Sequence, residues 1–137
     1  MITHLSLLSS RKITIPVTVR NTESHYAIDI EDALWDTGSS QTILSKDIAE
    51  AIGLRLGKRG EADTPGNPIP CWNATFEIEL SDSGVYELET GIILDNSLKR
   101  HVVIGMDIIG SGVSCIDVIK IDSQKYLRLQ FKSYAEL

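Results

Sequence analysis

Residues 33–45 read Ala-Leu-Trp-Asp-Thr-Gly-Ser-Ser-Gln-Thr-Ile-Leu-Ser, with the triplet Asp36-Thr37-Gly38 at their centre. An apolar strand leads into the acid, a tight Thr-Gly turn follows it, and a second apolar segment comes next. A hydrophobic strand that ends on an acid is unusual, because an unpaired buried carboxylate is costly. The arrangement makes sense if the acid is there for chemistry, since active sites place carboxylates in perturbing environments. Asp36 is therefore the first candidate for a catalytic residue.

The composition indicates a soluble globular protein and limits its partners. The chain has 137 residues, of which 42% are hydrophobic and 23% charged, so we expect one domain over 1–137 with its core over about 13–132. The net charge is −6 and no basic run exceeds Lys99-Arg100-His101, which argues against nucleic acid as a partner. No apolar stretch has the length of a membrane span, and the first residues lack the features of a signal peptide. We expect a cytoplasmic protein with no membrane partner.

The cysteines and histidines do not have the spacing of a metal or redox site. The two cysteines are far apart and are expected to be core thiols in a reducing cytosol, and the three histidines are scattered. We therefore expect neither a metal nor a cofactor. These residues are Cys71, Cys115, His4, His25 and His101.

Alternation of apolar and polar residues predicts mostly strands. Apolar residues recur at every second position over 13–19, where Pro16 favours an edge strand. The one clear helix is predicted for 45–52, with Ser45 as its N-cap and Gly53 after its end. Together the segments predict an all-β, mostly antiparallel, closed barrel-like sheet with one or two short helices. The other predicted strands cover 26–35, 72–80, 85–93, 113–121 and 126–131.

Three segments together resemble the retropepsin-like aspartic proteases, which include the retroviral proteases and single-domain bacterial and eukaryotic relatives. They are Asp36-Thr37-Gly38-Ser39-Ser40, Thr42-Ile43-Leu44-Ser45 and Val103-Ile104-Gly105. The segment 104–109 is most similar to the non-viral relatives. The resemblance covers about 13–132 and implies a retropepsin-like acid protease fold. It also implies an aspartic endopeptidase that hydrolyses extended peptides.

The chemistry of such an enzyme requires two acids. One carboxylate cannot activate a water molecule and protonate an amide nitrogen at once, whereas two carboxylates that share one proton can. The chain has one credible triplet, because Asp82-Ser83-Gly84 lies between two alternating strands and is interpreted as a hairpin turn. We therefore expect a homodimer in which Asp36 of each copy forms the dyad, with a peptide or protein as substrate.

The resemblance also implies roles for the neighbours of Asp36. Thr37 is expected to hydrogen-bond across the two-fold axis, and Gly38 to let the backbone approach the opposing carboxylate. Ser39 can donate a hydrogen bond to the carboxylate, which favours its charged form and predicts an acidic activity optimum. The apolar segment that packs behind the catalytic turn is expected to be Val103, Ile104 and Gly105.

The polar, Gly- and Pro-rich hairpin at 57–74 corresponds to the flap that closes over substrate in this family. A flap would exclude water and bind an extended peptide through backbone groups. A solvated loop is the alternative interpretation. The candidates for the substrate-binding tip are Asp63, Thr64, Pro65 and Gly66.

The sequence departs from the retroviral pattern at two places. Met106 stands where retroviral proteases have an arginine that joins a polar network, and Asp107 is expected to play a structural role. The termini, which interleave in retroviral dimers, also differ in character. The alternative functions are a peptide-binding or dimerisation module without proteolysis, and a protease active only when assembled with another protein.

Overall fold

The computed structural model describes residues 1–62, 68–80, 84–95 and 100–136. Within these residues ten strands form two sheets, and two short α-helices accompany them. The three-stranded sheet has the order β1 (Ile2–Leu7), β10 (Gln124–Ser133) and β9 (Gly112–Ile121). The seven-stranded sheet has the order β2 (Thr14–Arg20), β3 (Ala27–Trp35), β8 (Val102–Ile104), β4 (Ile43–Ser45), β7 (Gly84–Leu94), β6 (Ile69–Leu80) and β5 (Arg59–Ala62). The helices are α1 (Lys46–Ala51) and α2 (Met106–Ile109).

The seven-stranded sheet curls into a ring-like arrangement. β2 pairs with β3 on one side and, over Val17–Arg20, with β6 on the other. Most neighbours are antiparallel, and the exceptions are β3 with β8 and β4 with β7. The predicted all-β, mostly antiparallel class is confirmed. The closed barrel that the sequence predicted is observed only as this ring-like arrangement.

The prediction that Pro16 marks an edge strand is wrong. β2 has neighbours on both sides, but its register with β3 shifts between Ile15 and Val17. Pro16 lies at this irregularity, and the pairing of β2 with β6 begins one residue later, at Val17. A β-bulge leaves a residue out of the ladder, so a residue without an N–H is tolerated there inside a sheet.

One hydrophobic core joins both sheets. Phe76 and Ile78 of β6 and Leu129 and Phe131 of β10 are fully buried. The rings of Trp35 and Phe131 meet edge to face, with centroids 5.1 Å apart. Trp35 thus packs into the core directly before Asp36.

The predicted helix is observed as α1. The Ser45 hydroxyl accepts a hydrogen bond from the Ile48 amide at 3.4 Å, which is the N-cap contact that the sequence suggested. Gly53 follows the helix with φ +67°, a conformation that glycine adopts without strain. No helix in the described part of the chain has the length and apolar character needed to span a bilayer.

In the three-stranded sheet, the hairpin of β9 and β10 was predicted from the sequence, whereas β1 was not. The hairpin of β9 and β10 turns at Asp122 and Ser123, which both have positive φ, as expected for a two-residue turn. β1 was not predicted, and it pairs along its whole length with β10 of the same chain. The N-terminal strand is therefore held within its own subunit.

Candidate active site

Asp36 comes directly after β3, and hydrogen bonds to the neighbouring strand β8 fix the position of its backbone. Leu34 and Trp35 pair in parallel with Val103 and Ile104 of β8. The Asp36 amide then donates to the Ile104 carbonyl at 2.9 Å, which extends this pairing by one bond. Val103 and Ile104 are buried, so the predicted apolar segment does lie beside the acid-bearing turn.

The carboxylate of Asp36 is held by its own turn. The Gly38 amide donates to Asp36 Oδ1 at 2.9 Å, and the Ser39 amide donates to the Asp36 carbonyl at 3.2 Å. Asp36 is half-buried, whereas Thr37 and Gly38 are exposed. A Cβ on Gly38 would lie 3.1 Å from Oδ1, tighter than an ordinary contact. The turn thus leaves the carboxylate oriented and its outer side open.

Ser39 does not make the contact that the sequence suggested. Its hydroxyl donates to the Gln41 carbonyl at 2.7 Å and not to the carboxylate of Asp36. The carbonyl of Ser39 accepts from the Met106 amide at 2.8 Å. Ser39 therefore braces the turn against α2, because a hydroxyl proton committed to a nearby carbonyl is not available to the acid.

Gly105 allows two backbone segments to approach closely. A Cβ there would overlap the backbone carbon and oxygen of Gln41, so the position requires glycine for space. The Gly105 amide donates to the Thr42 hydroxyl at 3.1 Å. Thr42 in turn donates to Asp107 through both its amide and its hydroxyl. Asp107 therefore has a structural role.

An open pocket of about 310 Å³ adjoins the acid. Its wall is partly apolar, as a site for a peptide side chain would be. No local pattern in the sequence points to the contributions from the segment before β2 and from the β9–β10 hairpin. These are distant in sequence, and only the folded arrangement brings them to Asp36. The lining residues are Arg11, Lys12, Ile13, Leu34, Trp35, Asp36, Thr37, Ile116 and Leu127.

The structure describes only the base of the hairpin that the sequence predicts to be the flap. β5 and β6 form an antiparallel hairpin whose last described pair is Ala62 with Ile69. The tip candidates Asp63, Thr64, Pro65 and Gly66 lie outside the described residues. Asp82 and Ser83 of the second triplet also lie outside them, between the paired residues Leu80 and Gly84.

Among the described residues, no group of histidine, cysteine, aspartate or glutamate side chains has the arrangement of a metal site. Arg20 instead binds two acids of β6, with Nη1 to Glu77 at 3.4 Å and Nη2 to Glu79 at 3.3 Å.

The comparisons with known proteins agree with this geometry. A family model described as "Aspartyl protease" matches residues 15–108, a range that includes Asp36, α1 and Gly105. No curated protein matches in sequence.

Solved structures are similar in fold at low sequence identity. A retropepsin-like aspartic protease from Rickettsia conorii has a TM-score of 0.54 at 16% identity, covering 97% of this chain and 98% of that one. The retroviral protease-like domain of Ddi1 from Leishmania major has a TM-score of 0.49 at 18% identity, covering 90% and 98%. The protease of EIAV, solved with the inhibitor HBY-793, has a TM-score of 0.49 at 14% identity, covering 72% and 86%. Because the family model spans more than half of the chain, and the fold agrees with it, this chain belongs to the aspartyl protease family and has a retropepsin-like fold.

Proposed function

We propose that this chain is an aspartic endopeptidase of the retroviral type, active as a homodimer. Asp36 of each copy would form a dyad that holds one proton between two carboxylates. One observation carries the proposal. The Asp36 carboxylate is fixed by the Gly38 amide at 2.9 Å and stands at the open side of the turn, beside a partly apolar pocket.

In the proposed reaction the ionised carboxylate accepts a proton from water while the water oxygen attacks the scissile carbonyl carbon. The protonated carboxylate supplies a hydrogen bond and then a proton, and the amide nitrogen leaves as an amine. The free carboxyl and the amine are the products. The Gly38 amide keeps Asp36 oriented, which matters because misplacement of a reacting group by 1 Å can cost about 100-fold in rate.

The hairpin of β5 and β6 would cover the bound peptide. Strand addition along its paired residues, which reach Ala62 and Ile69, would hold an extended substrate through backbone hydrogen bonds. We propose no cofactor. The whole of 1–137 would act as one protease domain in the cytoplasm.

The decisive experiment compares Asp36→Asn with the wild type on a peptide library. We expect Asp36→Asn to fold and dimerise normally and to lose about 10²- to 10⁴-fold or more in cleavage rate, because it cannot act as an acid or a base. Asp32→Asn is the matched control, since Asp32 is an exposed acid of β3, the strand that leads into Asp36, and contacts Arg100 at 3.6 Å. Full activity of Asp36→Asn contradicts the proposal. Peptide binding by the wild type without cleavage supports a non-proteolytic module instead.

A further inference from the structure

The pocket beside Asp36 has two positive charges at its rim. Arg11 and Lys12 both line it, and both are exposed, so they lie where the pocket meets solvent. Asp36 is the one acid among the lining residues that the structure describes. The chain as a whole has a net charge of −6, so two adjacent cations at this place run against its average composition. We call Arg11 and Lys12 the basic rim of the pocket.

Within the described residues, the basic rim has no acidic partner. Other arginines do have one, since Arg20, Arg55 and Arg100 contact carboxylates at 3.3 to 3.6 Å. Neither Arg11 nor Lys12 forms such an ion pair with any residue in the described part of the chain. The positive charge of the basic rim is therefore available to a ligand.

The turn that carries the basic rim is held by its own hydrogen bonds. The Arg11 amide donates to the Leu8 carbonyl at 3.0 Å. The Ser10 hydroxyl donates to the Leu7 carbonyl at 2.7 Å and accepts from the Lys12 amide at 3.4 Å. Arg11 has a φ of 55°, in the left-handed region that long side chains rarely adopt, and such conformations concentrate at functional sites. The turn thus presents both cations from an ordered backbone.

A second open pocket continues the positive charge away from Asp36. Arg11 also lines this pocket, which has a volume of about 550 Å³, together with Lys125 of the β9–β10 hairpin. No described acid lines it. An anionic group that approaches Asp36 from this side therefore meets three cations. Their field offsets the repulsion between that group and the catalytic carboxylate.

We infer that the basic rim selects a glutamate side chain in the residues of the substrate that flank the scissile bond. The inference rests on the proposed function, because it names the substrate class of the same site. Behind the rim the pocket wall is apolar and includes Ile13, Leu34 and Leu127. The methylene groups of glutamate would pack on this wall while its carboxylate accepts hydrogen bonds from the rim. In a homodimer the pocket occurs twice, so the preference would apply on both sides of the scissile bond.

The test compares two peptide libraries that carry glutamate or glutamine at one fixed position and uncharged residues elsewhere. Mass spectrometry of the products gives the relative cleavage rate for each distance between the fixed position and the scissile bond. We expect the wild type to favour glutamate about 3- to 10-fold at a flanking position in low salt, because ion pairs at an exposed rim are individually weak. About 0.5 M NaCl should reduce the preference by screening.

Substitutions in the basic rim identify the source of the preference. Arg11→Gln and Lys12→Gln should each reduce it, the double variant should abolish it, and Arg11→Lys should keep most of it. Arg55→Gln is the matched control, since it removes the same charge from an exposed arginine outside this pocket and should leave the preference unchanged. Cleavage of the glutamine library should stay at the wild-type rate in all these variants, which separates lost selection from lost structure.

Two results would overturn the inference directly. One is a wild type that cleaves both libraries at equal rates, or a double variant that still favours glutamate. The other is a dimer Kd, measured by sedimentation velocity, that rises in the double variant, because the basic rim would then serve the contact between subunits.

A binding arm does not require cleavage. Asp36→Asn protein is immobilised, and the retention of each library is measured. Preferential retention of glutamate peptides, lost when both rim residues are also replaced by glutamine, supports the inference even if the wild type cleaves no peptide. In that case the proposed activity alone fails. Equal retention by Asp36→Asn, with equal cleavage of both libraries by the wild type, overturns the inference and leaves the proposed activity standing.

Discussion

Thr42 and Asp107 lie 65 positions apart and are joined by two hydrogen bonds, from the Thr42 amide to Oδ2 at 2.9 Å and from its hydroxyl to Oδ1 at 2.7 Å. The same hydroxyl accepts from the Gly105 amide at 3.1 Å, and Oδ1 also accepts from the Ile108 amide at 2.9 Å. Thr42 lies six residues after Asp36, and Asp107 is the second residue of α2. One polar contact therefore holds the acid-bearing turn against the glycine segment behind it.

Replacing Thr42 by valine should lower the free energy of unfolding by about 1–3 kcal/mol, because it leaves the Gly105 amide without its partner and Asp107 without one donor. Urea unfolding measures the change. Thr18→Val is the matched control, since the Thr18 hydroxyl donates to Asp29 at the same 2.7 Å but at an exposed site. The control should change stability by less than about 0.5 kcal/mol. Equal losses in the free energy of unfolding of the two variants would show that the Thr42 contact stabilises the protein no more than the exposed Thr18 contact does.

Alanine substitutions at two glycines near Asp36 should have different effects. Gly105→Ala places a methyl group against the Gln41 backbone, so it should destabilise the protein by about 1–3 kcal/mol or more. Gly38→Ala places its methyl 3.1 Å from Asp36 Oδ1, so it should lower the cleavage rate while stability stays near that of the wild type. Thermal unfolding and peptide cleavage are measured on both variants.

Gly60→Ala provides the control for the two glycine variants, because its Cβ would lie 3.7 Å from Cys71 Sγ, an ordinary contact. Its stability should match that of the wild type. A Gly105→Ala protein as stable as the control would show that the Gln41 backbone can move aside. The close approach of the two segments would then not be required.

Ser39→Ala separates two roles for this hydroxyl. The sequence suggested a hydrogen bond to Asp36, whereas the structure has the hydroxyl donate to the Gln41 carbonyl at 2.7 Å. We therefore expect a loss of about 1 kcal/mol in stability and an acid limb of the pH–rate profile that stays where it is in the wild type. Movement of the acid limb toward higher pH would show that the hydroxyl does reach the carboxylate in the working enzyme.

The sequence predicted those parts of the fold that local pattern determines. The alternation of apolar residues identified the long strands, and Ser45 with Gly53 identified the one clear helix. β1 was missed because its inward positions are Ile2, His4 and Ser6, so the buried face of this strand contains one aliphatic residue only. The curling of the seven-stranded sheet was predicted as closure, but the bulge at Pro16 was not, because it arises in the pairing of β2 with β3 and not within β2 alone.

The candidate site, like the fold, could be predicted only where a local sequence pattern determines it. The triplet at Asp36 and the Val-Ile-Gly segment could be identified from the sequence because each follows an apolar run and forms a tight turn. Side-chain partners could not be identified. The Ser39 hydroxyl rotates toward whichever acceptor is nearest, and Thr42 meets Asp107 only when β8 lies between β3 and β4. Long-range placement of short polar side chains leaves no periodic signal.

His4 makes the stability of the fold depend on pH. It lies on β1 opposite the fully buried Leu129, and burial lowers the pKa of its imidazole from the usual 6.5. Below pH 6.5 the His4 imidazole binds a proton in the unfolded chain but stays neutral in the folded chain until its lowered pKa is reached. Acidification therefore favours unfolding. The stability contribution is complete above 6.5 and is lost as the pH falls through the lowered pKa of the folded state.

His4→Gln, which has no proton to gain, should therefore lose less stability than the wild type between about pH 7.5 and about pH 5. Urea unfolding at the two pH values measures the difference, with His25→Asn as the control because His25 is exposed and asparagine tolerates its φ of 66°. An unchanged pH dependence in His4→Gln would show that this ring is not the group responsible. The measurement also matters for the acidic activity optimum that the sequence predicted, since a loss of activity in that range has to be separated from unfolding of the protein.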